Sequence, residues 1–303
     1  DGEMVCLSLK RRMNSGLASE KSGYQHFMLK EIFEQPTAIR RLLDRFDWSL
    51  RSDYVDLSAT KIVGMGSAFY AAQCFAGLCK VLDIAPPQVL LAADCVPIDF
   101  DRAEVCVAVS QSGETFDTLA AVRLAKKLDL PVMSFVNREG SALGQISDAV
   151  FLLYAGPERA VASTKSFVAQ VVCLCLGLLP LSVARRMFSV LAELPVLIES
   201  LLFAAEKNIR PWIALLKSEQ HLYILGRGML SLIAAEMALK CKEVAYVHAE
   251  AIHAADFKHG PLALVEQGTP VIMLLADDMW LEHNLLTLHE LHGRGAQVFV
   301  AAE

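Results

Sequence analysis

Short apolar runs alternate with longer amphipathic stretches through most of the chain. A helix is predicted from His26 to about Phe46, with Met28, Ile32, Phe33, Ile39, Leu42 and Leu43 inward and a break near Gln35-Pro36. Lys61-Ile62-Val63 reads as a strand running into Gly64-Met65-Gly66-Ser67, and an apolar helix follows through Leu82. Gln88 to Leu91 and Glu104 to Val109 are the next strands. After Ser110-Gln111-Ser112-Gly113-Glu114-Thr115 comes a helix with Phe116, Leu119, Ala120, Leu124 and Leu128 on one face, stopped by Pro131. Val132 to Val136 and Ala149 to Leu153 complete the series. Strands this short and apolar, spaced by amphipathic helices, predict an α/β fold whose parallel sheet is covered on both faces.

The pattern then restarts. His221 to Leu225 reads as a strand, Gly226-Arg227-Gly228 as a glycine turn and Met229 to Glu243 as a helix. Val271 to Leu275 and Val298 to Ala301 follow as strands with a helix between them. Gly64-x-Gly66 and Gly226-x-Gly228 open their units alike, so the chain is read as two copies of one unit joined by the helical stretch 183–209. The second copy is the shorter: after Val300 the chain stops where the first copy still has a crossover and a strand. Residues 1–25 are mixed and polar and are expected to be a linker or the end of something upstream.

Composition narrows the class. Of 303 residues, 54% are hydrophobic and 20% charged, ample for a core and too apolar for general disorder. The formal charge of −6 comes without a basic run, which argues against nucleic acid as partner and leaves an anionic ligand to a local site. The 8 cysteines sit mostly inside apolar stretches and form neither C-x-x-C pairs nor zinc-finger spacing with histidine, as expected of buried thiols in a reducing compartment. The start is not a signal peptide, and Phe167 to Ala184, which contains Gln170, Gly177 and Pro180, reads as a buried core helix rather than a membrane span. A cytoplasmic protein with no membrane association is expected.

The sharpest motif is Ser110 to Thr115, between a buried strand and an amphipathic helix. Its hydroxyls and the unpaired N–H groups of a helix start favour an anion, and Gly113 is expected to let the backbone approach the ligand. An ordinary N-cap explains one hydroxyl, not three together with Gln111. Gly64-Met65-Gly66-Ser67 lacks the third glycine of a dinucleotide fingerprint, and a tight turn suffices for it. In Val161-Ala162-Ser163-Thr164-Lys165, Ser163 or Thr164 would cap a helix or contact a ligand, and the two are compatible. Glu236, Lys240 and Glu243 share one helical stripe, either a solvated ion-paired face or acid/base groups. His248, Glu250, His253 and His259 match no known metal-site spacing, so no metal is expected and proton transfer is the more economical use.

These residues carry a resemblance. His26-Phe27-Met28-Leu29-Lys30-Glu31-Ile32-Phe33-Glu34-Gln35-Pro36, the Ser110–Thr115 loop with Asp117-Thr118-Leu119, Val161 to Lys165, and Leu239 through Leu264 resemble, in order, the isomerase half of the glutamine–fructose-6-phosphate aminotransferases. The resemblance implies two tandem sugar isomerase (SIS) units, each a three-layer αβα sandwich with a flavodoxin-like parallel sheet, over 26–195 and 196–303, the second incomplete. It implies that Ser110, Gln111, Ser112 and Thr115 hold a phosphate with Ser67 beside them, that Val161 contacts the sugar by its backbone and that Glu158 lies near it. Glu243 would move a proton between C1 and C2, Lys240 would assist, and His259 would open the ring from the partner subunit of a homodimer. Fructose 6-phosphate, glucosamine 6-phosphate and glucose 6-phosphate are the implied ligands, with no cofactor. Three departures stand out: Ala68 follows Ser67 where the family has a second hydroxyl, and both the glutaminase domain and the C-terminal tail with its Schiff-base lysine are missing from the sequence. A stand-alone SIS isomerase or deaminase and a non-catalytic sugar-phosphate sensor are the alternative readings.

Overall fold

The computed structural model describes residues 21–51 and 55–302, so the linker reading of 1–25 lies almost wholly outside the described residues. The first predicted helix is two: α1 (Phe27–Phe33) and α2 (Gln35–Arg45), parted at Glu34. Pro36 sits in the first turn of α2, where a missing N–H costs nothing. Ile39, Leu42 and Leu43 are buried as predicted.

The chain continues through β1 (Thr60–Gly64), α3 (Gly66–Val81), β2 (Gln88–Leu91), β3 (Val105–Ser110), α4 (Phe116–Lys127), β4 (Val132–Val136), α5 (Ala142–Ile146) and β5 (Ala149–Leu152). These strands form one parallel sheet in the order β2-β1-β3-β4-β5. Helices α6 (Lys165–Leu178), α7 (Leu181–Leu191) and α8 (Leu194–Leu216) lead to β6 (His221–Gly226), α9 (Met229–Lys240), β7 (His248–His253), β8 (Pro270–Leu275), α10 (Leu281–Gly293) and β9 (Gln297–Ala302). The second sheet, again parallel, runs β7-β6-β8-β9, the order of the first sheet without a counterpart of β5.

Period-two alternation along each strand feeds two cores per sheet. In the first sheet Ile62, Val107, Val109 and Phe135 pack against α2, α3 and α6, while Val63, Cys106, Ala108 and Val136 pack against α4 and α5. In the second, Leu225, Val271 and Met273 meet Phe257 and Leu291, and Ile224, Ile272 and Leu274 meet α9 with Trp212. The two units touch through α3 and α9, which approach closely because Gly77 presents no side chain to Met229.

Three local readings are corrected. Helix α4 turns Thr118, Leu119, Ala121, Val122 and Ala125 inward, leaving Phe116 76% exposed and Ala120 outside. Both faces satisfy the helical period, and the small Ala121 and Ala125 win because they let the helix sit close to the sheet. His248 to His253, assigned no element from sequence, is strand β7; its polar residues lie on a sheet edge half open to solvent. The helix predicted to reach Glu243 ends at Lys240, and Cys241–Ala245 forms a π-turn closed by Tyr246 in the left-handed region at φ 55°.

The described cysteines are all free, and burial pushes the thiols of Cys106 and Cys175 up to about 12, as inert core residues require. Among the described residues no single helix is long and apolar enough to cross a membrane, and the apolar run from Phe167 packs as the buried helix α6.

Helix α6 meets the sheet at Gly177, where an added Cβ would lie 2.8 Å from the ring of Phe135. That ring is fully buried and stacked on Phe151 at 4.7 Å, so it has no room to yield. The helix-propensity gain of Gly→Ala is about 1 kcal/mol; overpacking costs about 1–3 kcal/mol. Gly177→Ala is expected to be destabilising on balance, read as a lowered midpoint in urea denaturation; an unchanged or raised midpoint would show that the helix can back away.

Candidate functional site

In the order β2-β1-β3 the connections from β1 and β3 leave in opposite directions, and a crevice opens at their carboxyl ends. Met65 and Ser67 follow β1, and Ser110 to Thr115 follow β3, so the two short motifs meet there. The cleft holds about 190 Å³ and is lined by Ser67, Ser110, Gln111, Ser112 and Thr115 from the first sheet, by Val161 and Ser163 from the loop before α6, and by Lys240 and Glu243 from the second unit.

The Ser110–Thr115 loop is held by its own groups. Ser110 Oγ lies 3.0 Å from Thr115 Oγ1 and accepts from the Gly113 N–H at 3.1 Å. The Glu114 N–H donates to Ser112 Oγ at 3.1 Å, and the Glu114 carboxylate accepts from the Ala142 N–H at 3.0 Å. Thr115 is the N-cap of α4, yet its side chain makes no capping bond, so it satisfies none of the first-turn N–H groups. Gly113 serves a different purpose from the one predicted. Its φ is +67°, and a Cβ there would meet Ser141 Oγ at 2.2 Å, so the missing side chain admits Ser141 rather than a ligand.

The opposite rim is a loop pinned by three carboxylates. Glu31, only 1% exposed, accepts from the Arg159 N–H at 2.6 Å and the Ala160 N–H at 3.2 Å. Glu158 is not among the cleft-lining residues; it accepts from the Thr164 N–H at 2.9 Å and from the Ser166 hydroxyl, so it caps α6 where Ser163 or Thr164 was expected to. Lys165, 2% exposed, places its ammonium 2.6 Å from Glu34 and 2.7 Å from the Pro157 carbonyl. Burial disfavours the charge of Glu34, but hydrogen bonds from Lys165 and Lys30 outweigh it and hold the carboxyl below its ordinary range. The exposed Val161, at 90%, is presented at the mouth by this scaffold.

From the second unit, Lys240 donates to Ser67 Oγ at 2.9 Å and to Glu243 Oε2 at 2.5 Å. It is the one cation among the described residues lining the cleft. The π-turn swings Glu243 off the α-helical path into the cleft, the kind of irregularity that recurs at functional sites. Glu236 lies one turn below, buried, with Lys240 Nζ 3.5 Å away; burial pushes its carboxyl above the ordinary range. His259 lies exposed on a turn after β7 and does not line the cleft of its own chain. No group of three metal-ligating side chains converges among the described residues.

Glu31, Glu34, Lys165 and Gln170 were not singled out from sequence. The available signal was polarity out of place: Glu31 lies among the apolar Met28, Leu29, Ile32 and Phe33, and Gln170 interrupts an apolar helix. The second sheet offers no duplicate site. Where β3 runs into hydroxyls, β8 runs into Ala276-Asp277-Asp278, carboxylates that repel an anion.

The family profile described as SIS domain matches residues 93–177 and 215–301. A glutamine–fructose-6-phosphate aminotransferase (isomerizing) of Pyrobaculum aerophilum is 36% identical over 288 residues, covering 91% of this chain and 48% of that protein. The chain thus spans about half the length of the curated relatives it matches. Among solved structures, the C-terminal domain of glucosamine-fructose-6-phosphate aminotransferase from Francisella tularensis superposes with a TM-score of 0.82 at 32% identity, covering 93% of this chain and 85% of that one. A glucosamine-6-phosphate deaminase from Thermotoga maritima gives 0.73 at 26% identity, with 92% and 85% covered.

The Lys165–Glu34 pair makes the rim pH-sensitive. Because the folded state lowers the Glu34 pKa, its contribution is fully present above the unfolded value of about 4.3 and is lost as pH falls through the folded value. Glu34→Gln is expected to destabilise by about 2 kcal/mol at neutral pH, less than a fully orphaned buried charge because Glu34 is one-third exposed and the Pro157 carbonyl remains. The gap from wild type should narrow as pH falls below the unfolded value and close below the lowered folded one; a gap independent of pH in denaturant titrations would show that the ion pair is not its source.

Proposed function

The chain belongs to the SIS domain family, and from that premise we propose that it is the sugar-isomerising half of a glutamine–fructose-6-phosphate aminotransferase, acting in the cytoplasm as a homodimer. The observation that carries the reading is one cleft in which a hydroxyl-rich helix start faces an acid/base pair delivered by the second unit. In this reading 26–195 and 196–303 are the two SIS units.

The phosphate of fructose 6-phosphate occupies the loop formed by Ser110, Gln111, Ser112 and Thr115, where hydroxyls and the free N–H groups of α4 supply donors. Ser67 adds a further hydroxyl; Ala68, buried at 8%, adds none. Lys240 balances the dianion from across the cleft. Val161 contacts the sugar by its backbone, and Glu158 acts by holding that loop rather than by touching the sugar. Isomerisation removes a proton from one of two adjacent carbons and returns it to the other, which asks for one carboxylate above the C1–C2 bond. Glu243, which lines the same cleft as the phosphate loop and accepts a hydrogen bond from Lys240, takes that role. Opening of the cyclic sugar falls to His259 of the partner subunit, since the same chain's His259 is outside the cleft. With ammonia from a glutaminase half, the net reaction is fructose 6-phosphate plus ammonia to glucosamine 6-phosphate plus water; without it the same groups interconvert fructose 6-phosphate and glucose 6-phosphate. Proton transfer of this kind requires no cofactor and no metal.

Two measurements test the reading. Ser112→Ala and Thr115→Ala should each weaken fructose 6-phosphate binding by about 1–3 kcal/mol in calorimetry, and equal affinity of the double variant and the wild type would remove the loop from the site. Glu243→Gln should abolish solvent deuterium uptake at C1 and C2 of bound sugar, followed by NMR, while binding changes little. Uptake at the wild-type rate in that variant would mean that another group is the base.

A further inference from the structure

Gln170 lies in the second turn of α6, in a stretch that otherwise reads Phe167-Val168-Ala169 and Val171-Val172-Cys173-Leu174. It is 1% exposed and lines the cleft beside Val109, Ser110 and Ser163. Its Oε1 is sealed from solvent and meets no donor. An apolar side chain of the same length would suit the surrounding helix better, because a buried amide left unpaired costs free energy that a methionine does not. An unpaired polar atom in a binding cleft is accounted for if the ligand completes it.

We propose that Gln170 is a specificity-determining residue that recognises hydroxyl groups on the carbon chain of the bound sugar; the proposal rests on the sugar-phosphate reading of this cleft. The chemistry assigns the partner. A carboxamide oxygen only accepts, and it needs a donor. A phosphate dianion has no proton to give, so the group held by the Ser110–Thr115 loop cannot satisfy Oε1, whereas a sugar hydroxyl can. The two recognition elements therefore divide the ligand. The loop grips what every phosphate ester shares, and Gln170 reads what distinguishes a polyol phosphate from a bare phosphate. Leaving Oε1 unpaired without a hydroxylated ligand sharpens discrimination, as in sites that reject analogues lacking a hydrogen-bonding group.

The test compares the full chain with Gln170→Met and Gln170→Leu, by calorimetry with fructose 6-phosphate and separately with inorganic phosphate, and by thermal unfolding without ligand. Both variants are expected to bind fructose 6-phosphate about tenfold more weakly, to bind inorganic phosphate as the wild type does, and to unfold at an equal or higher temperature. A residue that only supports the fold would instead lower the unfolding temperature and weaken both ligands together, and that result overturns the proposal. Unchanged affinity for fructose 6-phosphate in both variants overturns it as well, while leaving the sugar-phosphate reading intact. Failure of the wild type to bind either ligand would overturn that reading, and the proposal with it.

Discussion

The parallel pairing of β1 with β3 is the constraint on which the site depends. Residues Thr60 to Val63 align with Val105 to Ala108, so the two strands end side by side and their following turns face one another. With β2 on one side and β4 on the other, the helices after β1 and β3 depart to opposite faces of the sheet. No side chain needs to be moved to make the crevice; it is a consequence of strand order, and its walls are helix starts with unpaired N–H groups. Hydroxyl side chains of Ser67, Ser110, Ser112 and Thr115 line that gap.

A crevice alone does not fix a ligand, and the rest of the molecule supplies rigidity at a cost in buried charge. Glu31, Glu34, Glu158 and Lys165 hold one loop, through backbone groups and through one another or a neighbouring side chain. Buried ionic groups of this kind add little net stability over apolar packing, but removing one member leaves the other stranded. The arrangement thus enforces one loop conformation. The exposed Val161 and the hydroxyl of Ser163 are kept in the wall of the cleft, on a segment with no strand or helix of its own.

The second unit contributes in a different currency. Its own switch point, with Asp277 and Asp278 after β8, is unsuited to an anion, and Arg227 there lies over the ring of Trp280 at 4.6 Å. What it delivers to the first unit is the end of α9. The close approach of α3 and α9 at Gly77 sets where that end falls, and the π-turn sets the direction of Glu243. The two sheets are alike in strand order, but the first carries hydroxyls after its strands while the second unit contributes Lys240 and Glu243 from the end of α9.

Much of this was legible in the chain itself. The apolar runs, the stops at Pro131 and the glycine turns determined the strands, the repeat and the parallel class, because local periodicity and turn chemistry are set by neighbouring residues. Ser110 to Thr115 was legible as a hydroxyl-rich helix start for the same reason: its hydroxyls and the helix start are contiguous. What tertiary structure alone decided was everything that depends on distance across the fold. The face of α4 that turns inward was chosen by how closely a helix can approach a sheet. Gly113 answers to Ser141, Glu158 to a helix start it precedes, and Glu31 to backbone more than a hundred residues away. Strand β7 was hidden because an edge strand need not be apolar, and the bend that aims Glu243 was hidden because a π-turn has the same composition as the helix it interrupts. Sequence fixes what each segment prefers to be; which groups share a cleft follows only when the sheets order their strands and the helices settle onto them.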